Sequence, residues 1–180
     1  MTIRRLGEAD ITDRADGKAL VWSDSASKHV YEDAPAPAGL ASGKVTRSGI
    51  GSNVTRAAAG WADMDGTNLT IDLTTGARRV MLILTCTAQP ATSAHSIAFG
   101  FSIDGTPVVA EAASSRGLMT HSFLGTEFAD ICVVHITDAL TAASHTFRPR
   151  WVNRNGSNTI TAFQSAAEEA IVFSAVELAT

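Results

Sequence analysis

Charge is scarce in this chain of 180 residues. Charged residues make up 18% of the sequence, against about 25% in an average globular protein, and leave a formal net charge of −4. Proteins that bind DNA or RNA concentrate lysine and arginine on one surface, whereas the short basic pairs here, Arg4-Arg5 and Arg78-Arg79, lie among interspersed acidic residues. The composition therefore argues against nucleic acid as a partner.

Long apolar runs are missing as well. The longest, Val80 to Leu84, is far shorter than the roughly 20 residues that a membrane-spanning helix needs. The first ten residues also lack the apolar stretch of a secretory signal. We therefore expect no membrane insertion, and we expect the chain to be made and to stay in a cytoplasm.

Cysteine is limited to Cys86 and Cys132, each in the middle of an apolar run. Their spacing matches no zinc-binding motif, and a disulfide would need an oxidising compartment and two facing strands. We expect two buried free thiols, since unpaired cysteine behaves as a small apolar side chain.

Signatures of catalysis are absent too. The histidines, which are His29, His95, His121, His135 and His145, are scattered, and no two have metal-ligand spacing within one element. The sequence has no Gly-x-Ser-x-Gly nucleophile elbow and no phosphate-binding glycine loop, and its acidic residues mostly flank turns. The sequence predicts a non-enzymatic protein without a metal or a cofactor.

The sequence is rich in short runs of Val, Ile, Thr and Phe that are separated by turn dipeptides. This all-β pattern, with nine strands in one domain, is typical of a sandwich. The predicted strands are residues 68–74, 79–88, 95–103, 106–113, 118–124, 130–137, 144–152, 158–163 and 171–178. Three dipeptides favour the positive φ angles of tight turns, and the last two are expected to join antiparallel strands: Asp65-Gly66, Asp104-Gly105 and Asn155-Gly156.

The strand predicted over residues 95–103 has one large face and one small face. Large apolar residues alternate with Ala98, Gly100 and Ser102. The large face is expected to enter the core, and the small face suits either solvent or the close approach of a second backbone.

Two other strands are apolar on both faces, namely Val80 to Leu84 and Ile131 to Val134. A sandwich buries one face of each sheet, so a second apolar face would be an exposed patch on the order of several hundred Å², which marks an interface. The alternative is a monomer whose loops cover that face. We predict an interface between copies of the chain that includes Met81, Ile83, Cys132, Val134 and His135.

The composition changes upstream of the sandwich. Residues 34–43 contain proline and glycine without periodicity, as linkers do, and residues 45–60 show no clear element. Before them, residues 18–22 and 28–31 predict a hairpin, which would be marginal in water unless it lay on another surface. We expect an N-terminal anchoring arm with hairpin and linker over residues 1–44, and a β-sandwich over residues 45–180.

The arm carries a recognisable motif. Leu6-Gly-Glu-Ala-Asp-Ile11, Ala15-Asp-Gly-Lys-Ala-Leu-Val-Trp22 and Ser27-Lys-His-Val30 resemble a short module of bacteriophage tail-fibre and other virion structural proteins. Glu8, Lys18 and Ser27 depart from the usual form of that module. The resemblance implies an arm that docks on other virion proteins, capsid or tail, and its docking residues are expected to be Leu6, Ile11, Leu20, Trp22, Val30 and Tyr31.

The rest of the chain is similar in rhythm to the trimeric jelly rolls of the tumour-necrosis-factor and complement globular-head type. The likeness rests on the strand count, on the hairpin from Phe99 to Gly105 and on the apolar closing strand from Ile171 to Val176. It implies an all-β, jelly-roll β-sandwich that forms a trimer.

Together the two resemblances imply a non-enzymatic virion surface protein, a fibre, spike or decoration subunit assembled in the host cytoplasm. One alternative is a receptor-binding tip that recognises host cell-surface carbohydrate through Arg150, Trp151 and Asn155. A surface polysaccharide depolymerase is a further alternative, which would need two carboxylates in a cleft.

Overall fold

The structure is a computed structural model that describes residues 18–23, 28–33, 39–47, 53–92, 95–112, 115–156, 159–162 and 170–179. The regular secondary structure of these residues is all β-strand. The chain divides into two compact units, Met1–Gly39 and Leu40–Thr180. Within the described ranges, no helix is long and apolar enough to cross a membrane.

The first unit contains the predicted β-hairpin. β1 (Lys18–Ser23) pairs antiparallel with β2 (Lys28–Asp33), and Leu20 lies opposite Tyr31 in the register. Both strands are slightly longer than the sequence pattern indicated. Leu6 and Ile11 lie outside the described residues, and so do the side chains of Leu20, Trp22, Val30 and Tyr31. The docking roles of these six residues therefore stay predictions.

The described part of the second unit is a series of further strands. They are β3 (Ser42–Arg47), β4 (Val54–Arg56), β5 (Ala62–Asp63), β6 (Ile71–Thr74), β7 (Val80–Pro90), β8 (His95–Ile103), β9 (Thr106–Pro107), β10 (Met119–Phe123), β11 (Ala129–Ile136), β12 (Ser144–Asn153), β13 (Ile160–Ala162) and β14 (Ile171–Glu177).

These strands form two antiparallel sheets. Sheet I contains β3, β4, β7, β11, β13 and β14, and sheet II contains β5, β6, β8, β9, β10 and β12. Interrupted strands, such as β13 with β14 beside β7, share one position in a sheet, which leaves eight positions. Numbered along the chain, the positions run 1-8-3-6 in sheet I and 2-7-4-5 in sheet II, which is the order of a jelly roll.

The core lies between the sheets and follows the predicted alternation. In β8, Ile97, Phe99 and Phe101 are fully buried, as the period-two pattern indicated. The Phe101 ring stacks on Phe173 of sheet I with 5.7 Å between ring centroids. Burial of these large side chains from both sheets supplies the main stabilisation of the sandwich, because each contributes roughly 1.5–3 kcal/mol.

The predicted turns have different outcomes. Asp104 (φ 53°) and Gly105 (φ 79°) form the expected tight hairpin between β8 and β9. Gly156 also has a positive φ of 65°, but its turn leads from β12 in sheet II to β13 in sheet I, so the hairpin expected there is wrong. Gly66 is not among the described glycines with positive φ. Instead, the carbonyl of Asp65 accepts a hydrogen bond from Leu69 at 3.0 Å.

The sandwich begins inside the predicted linker. β3 starts at Ser42 and pairs with β14 along its length. A Cβ on Gly43 would lie 2.5 Å from Cγ2 of Ile71, so glycine here permits a close approach between β3 and sheet II. The residues of β3 do not alternate between apolar and polar, so the sequence did not predict this strand.

The strand predicted over residues 106–113 is much shorter in the structure. Thr106 and Pro107 pair with β8, and the chain then leaves the sheet. Val109 lies over Gly100 on the outer side of β8, within van der Waals reach of a Cβ placed there. Val109, one of the apolar residues that suggested a strand, therefore covers part of the outside of sheet II.

The sandwich has two distinct ends. We call the end formed by residues 91–92, 124–128 and 154–156 the distal end, since the strand registers place these connections together. At the opposite, proximal end the chain enters at Ala41 and leaves after Glu177. There the buried carboxylate of Glu177 accepts a hydrogen bond from the amide of Ala41 at 3.0 Å.

Candidate interaction surfaces

The outer side of sheet I carries a group of apolar side chains, among which Thr85 and Ser174 also face outward. In β7, Val80, Leu82 and Leu84 point inward and are fully buried, so Met81 and Ile83 belong to the outward row and are half-buried. Together with their neighbours on β11 and β14 they form a surface that we call the aliphatic face, which consists of Met81, Ile83, Cys132, Val134, Ile136, Val172 and Val176.

The register places these residues in rows across three strands. Ile136 lies opposite Met81, and Met81 lies opposite Val176. Val134 likewise lies opposite Ile83. Directly opposed side chains in antiparallel strands have Cβ atoms about 4.5–5.5 Å apart, so the rows touch. Val134 and Ile136 remain 51% and 50% exposed, which is unusual for two neighbouring β-branched residues on one strand.

Four of the five predicted interface residues, Met81, Ile83, Cys132 and Val134, are thus brought together on one surface. His135 is the exception, and its place in that group is corrected. It alternates with the outward residues of β11 and shares the inward row with Ile131 and Val133. Its side chain is half-buried, and this burial lowers the pKa of His135, with an opposing effect from Asp138.

The two cysteines lie on opposite sides of sheet I. Cys86 points into the core, where burial, helped by the charge of Asp130, raises the pKa of its thiol to about 12. Cys132 is exposed on the aliphatic face. Both thiols are free, as predicted, but the expectation that Cys132 is buried is wrong for the single chain.

Sheet II presents a different outer side, because the chain itself covers it. The indole ring of Trp61 lies over β8, where a Cβ on Gly100 would be 3.3 Å from Cζ3 of the ring. The indole N–H donates to the carbonyl of Ala112 at 3.2 Å and to Oγ of Ser115 at 3.1 Å. The small outward side chains of β8 therefore leave room for the indole ring of Trp61 to pack against the strand.

An ion-pair network also holds in place the segment after Pro107, which covers the outer side of sheet II. The guanidinium of Arg150 donates to both carboxylate oxygens of Glu111, at 2.6 Å for Nη2 to Oε2, and to Asp63 at 2.7 Å. Nη1 of Arg148 lies 3.7 Å from the other carboxylate oxygen of Asp63. The hydrogen bond to Glu111 is the main reason why the pKa of Arg150 is raised. Glu111 lies in the covering segment, so the network ties that segment to β12.

The residues predicted for carbohydrate recognition do not form one site. Trp151 is 1% exposed and belongs to the core, so a role for its ring on a recognition surface is corrected. Arg150 is engaged with Glu111 and Asp63 as described above. Asn155 is exposed at the distal end, where its side chain accepts a hydrogen bond from Ser96 at 3.2 Å.

The distal end contains an apolar loop that the sequence analysis missed. Leu124 is 91% exposed and Phe128 is 59% exposed. Glu127 folds back to accept a hydrogen bond from the amide of Leu124 at 3.0 Å, and Gln89 donates to the carbonyl of Thr126 at 2.6 Å. The loop is thus held in place while it displays its two largest apolar side chains. Two large apolar residues flanking Gly-Thr-Glu were the available sequence signal.

Side-chain clusters suited to chemistry are few among the described residues. Asp104 and His145 form a carboxylate–imidazole pair at 2.7 Å, but the second ring nitrogen faces the carbonyl of Thr141 at 3.1 Å. In the protonated ring, that nitrogen donates to the carbonyl and cannot accept a proton. No group of three or more His, Cys, Asp or Glu side chains in the described part of the chain is placed to hold a metal ion.

Comparisons with known proteins add little to this description. No family model and no curated protein matches the chain. A solved structure titled "Structure of infectious bursal disease virus Gt strain" contains a chain that is similar over 88% of this chain and 45% of its own length, at 10% identity and a TM-score of 0.20. The chain therefore spans less than half the length of that neighbour, and the fold assignment rests on the strand order described above.

Proposed function

We propose that this chain is a non-enzymatic structural subunit on the surface of a bacteriophage-type virion, and that it works as a homotrimer attached by its N-terminal arm. The aliphatic face is the observation that carries the trimer. Two of its exposed members, Val134 and Ile136, lie on an edge strand, and natural proteins usually protect such strands with charges, proline or bulges. Here β11 carries one charged side chain that could serve this purpose, Asp130.

A second copy of the chain is the occupant that we favour for this face. The face combines side chains from three adjacent strands, so its area is on the order of a few hundred Å². Burying it contributes roughly 5–10 kcal/mol for each copy, before the cost of association is subtracted. Cyclic symmetry presents the same face of every copy to one central axis and closes the assembly, so this face recruits no further copies.

Attachment through the N-terminal arm is supported by the hairpin β1–β2 and by the virion-type motif in its sequence. A hairpin of two strands is marginal alone, so it gains stability from a surface on which to lie. Within the second unit, the chain enters the sandwich at the proximal end, and the distal loops lie at the opposite end of the sandwich. We infer that capsid or tail proteins of the virion supply the docking surface.

Two measurements on the full chain test this proposal. Light scattering at micromolar concentration is expected to give three times the mass of the chain, and a stable monomer would overturn the trimer. Labelled protein is expected to bind undecorated capsids or tails. Trp22→Ala in β1 is expected to abolish that binding without changing the trimer, while Ala19→Ser in the same strand keeps it. Binding to neither particle type would overturn the virion role.

A receptor-binding tip is the second candidate function, and the distal loop favours it. Leu124 and Phe128 are displayed on a loop fixed by hydrogen bonds, at the end of the sandwich opposite to the chain entry, next to the exposed Asn155. Preorganised apolar side chains are typical anchors of binding sites. The double variant Leu124→Ser with Phe128→Ser is expected to lose binding to host cells. Leu40→Ser, at the proximal end, serves as the control, and equal loss in both would exclude the tip.

A further inference from the structure

A buried histidine at the proximal end has oxygen atoms at both of its ring nitrogens. His145 lies in β12, and its Nδ1 is 2.7 Å from Oδ2 of Asp104. Its Nε2 is 3.1 Å from the carbonyl oxygen of Thr141 and 3.4 Å from the hydroxyl of the same residue. One threonine therefore offers two chemically different partners to one ring nitrogen.

The two partners suit different protonation states of the ring. A carbonyl oxygen only accepts hydrogen bonds, so it requires a proton on Nε2, whereas a hydroxyl can donate to an Nε2 that has lost its proton. Nδ1 keeps its proton in both states, because the carboxylate of Asp104 only accepts. The protonated ring therefore bonds to the Thr141 carbonyl, and the neutral ring bonds to the Thr141 hydroxyl.

Each side of this histidine is connected to a different segment of the chain. Asp104 has a positive φ of 53° in the β8–β9 hairpin, and its other carboxylate oxygen accepts a hydrogen bond from the amide of Thr146 at 2.8 Å. Thr141 belongs to the connection 137–143, which follows β11. That connection is held to the start of β7 by a hydrogen bond from Leu140 to the carbonyl of Arg78 at 2.9 Å.

Other charged groups on the neighbouring elements are directed elsewhere. On β6, the carboxylate of Asp72 accepts a hydrogen bond from a threonine hydroxyl at 2.5 Å. On β12, Arg148 lies 3.7 Å from a carboxylate of β5. In the connection 137–143, Asp138 acts on a different histidine. Among the described residues, Asp104 is thus the charged group that contacts His145.

We propose that His145 is a proton-operated coupling between the β8–β9 hairpin and the connection 137–143. When Nε2 loses its proton to solvent, its hydrogen bond moves from the carbonyl of Thr141 to the hydroxyl. Thr141 rotates as this bond moves, and the rotation shifts the connection 137–143 against the start of β7. The coupling places a pH-sensitive joint next to Ile136, at the end of the aliphatic face, and it does not require the trimer.

The direction of the pKa changes agrees with this geometry. The hydrogen bond to Asp104 raises the pKa of His145, and the same bond lowers the pKa of Asp104. The stability that His145 contributes is therefore complete below the ordinary histidine pKa of about 6.5 and is lost as pH rises through its raised value. The contribution of Asp104 is present above the ordinary aspartate pKa of about 3.9 and is lost as pH falls through its lowered value.

Imidazole ¹⁵N NMR on the full chain tests the coupling with a matched pair of variants at the exposed residue 141. Thr141→Val keeps the carbonyl and removes the hydroxyl that serves the neutral ring, so a roughly threefold increase in the proton affinity of His145 is expected. Thr141→Ser keeps both groups and is expected to titrate like the wild type. Equal midpoints for the valine and serine variants would overturn the proposal.

The wild-type protein provides an independent readout. Above its midpoint, His145 is expected to be the Nδ1–H tautomer, and the amide of Leu140 is expected to titrate with the same midpoint. An Nε2–H tautomer, or a Leu140 amide that is indifferent to pH, contradicts the coupling even if the valine variant fails to fold.

Discussion

The two sheets of the sandwich treat their outer faces in opposite ways. The outward row of β8 is small, and the chain lays Trp61 and Val109 over it and fastens them with the Arg150 network. The outward row of β7 is bulky, and with Val134 and Ile136 beside it the outer side of sheet I stays partly exposed. This difference between the two outer sides is the basis for our proposal that further copies of the chain bind to sheet I.

A charged substitution on the exposed side of sheet I tests this difference between the sheets most directly. Val134→Asp is expected to weaken trimer association by about a thousandfold, because each interface would bury an unpaired carboxylate. The folded monomer should keep its β-sheet spectrum, since Val134 is half exposed in the single chain. Sedimentation equilibrium measures the effect.

Thr74→Asp is the matched control, because it places the same charge on an exposed position of sheet II. It should leave the association constant unchanged. If both variants remain trimeric to the same degree, the aliphatic face is not the interface.

A substitution on the covered side of sheet II should lower the stability of the fold and leave the association of the copies unchanged. Trp61→Ala is expected to lower the free energy of unfolding by about 2–3 kcal/mol, because it removes a large ring from its packed position over β8. The trimer should persist at the same protein concentration. Denaturant unfolding together with light scattering checks both parts, and a monomeric Trp61→Ala protein of unchanged stability would reverse the assignment of the two sides.

The ion pair on the covered side gives a smaller effect. Arg150→Met is expected to lower the free energy of unfolding by about 1–2 kcal/mol, because it leaves the mostly buried carboxylate of Glu111 without its partner. Adding Glu111→Gln should recover part of the loss. A double-mutant cycle with no coupling energy between the two positions would show that the network does not hold the cover in place.

The smallest expected effect is at the β8–β9 turn, which precedes the segment that covers sheet II. Gly105 has a φ of 79° and open space around its Cα, so Gly105→Ala meets no steric contact. The left-handed backbone alone should cost about 1 kcal/mol of unfolding free energy. Thermal unfolding at one protein concentration measures it, and an unchanged midpoint would mean that the turn relaxes without strain.

Much of the sandwich could be predicted from the sequence because its longest strands are runs of apolar residues whose side chains point alternately to the two faces of a sheet. β7, β8, β11, β12 and β14 appear in the structure close to their predicted bounds. β3, β4 and β5 were not predicted, because these short strands show no apolar alternation and are defined by their pairing with neighbouring strands. The segment after Pro107 was predicted as a strand because its apolar residues suit burial equally well above a sheet and within one.

The candidate surfaces were partly predictable for the same reason. Alternation alone placed Met81, Ile83 and Val134 on one outward face. Applied strictly, it would also have removed His135 from that face, because His135 shares the row of Ile131 and Val133. The burial of Trp151 and the exposure of Leu124 depend on how strands and loops from distant parts of the chain meet, and local sequence does not contain that information.

The thiol of Cys132 tests the central claim most directly. Cys132 lies on the aliphatic face and is exposed in the single chain, whereas Cys86 is buried with a pKa raised to about 12, so one cysteine reports on the interface. In native wild-type protein at micromolar concentration, Cys132 is expected to be protected from a thiol reagent. In the Val134→Asp monomer it should react rapidly. Equal, rapid labelling of both proteins would show that the face is open in the native protein and would contradict the trimer.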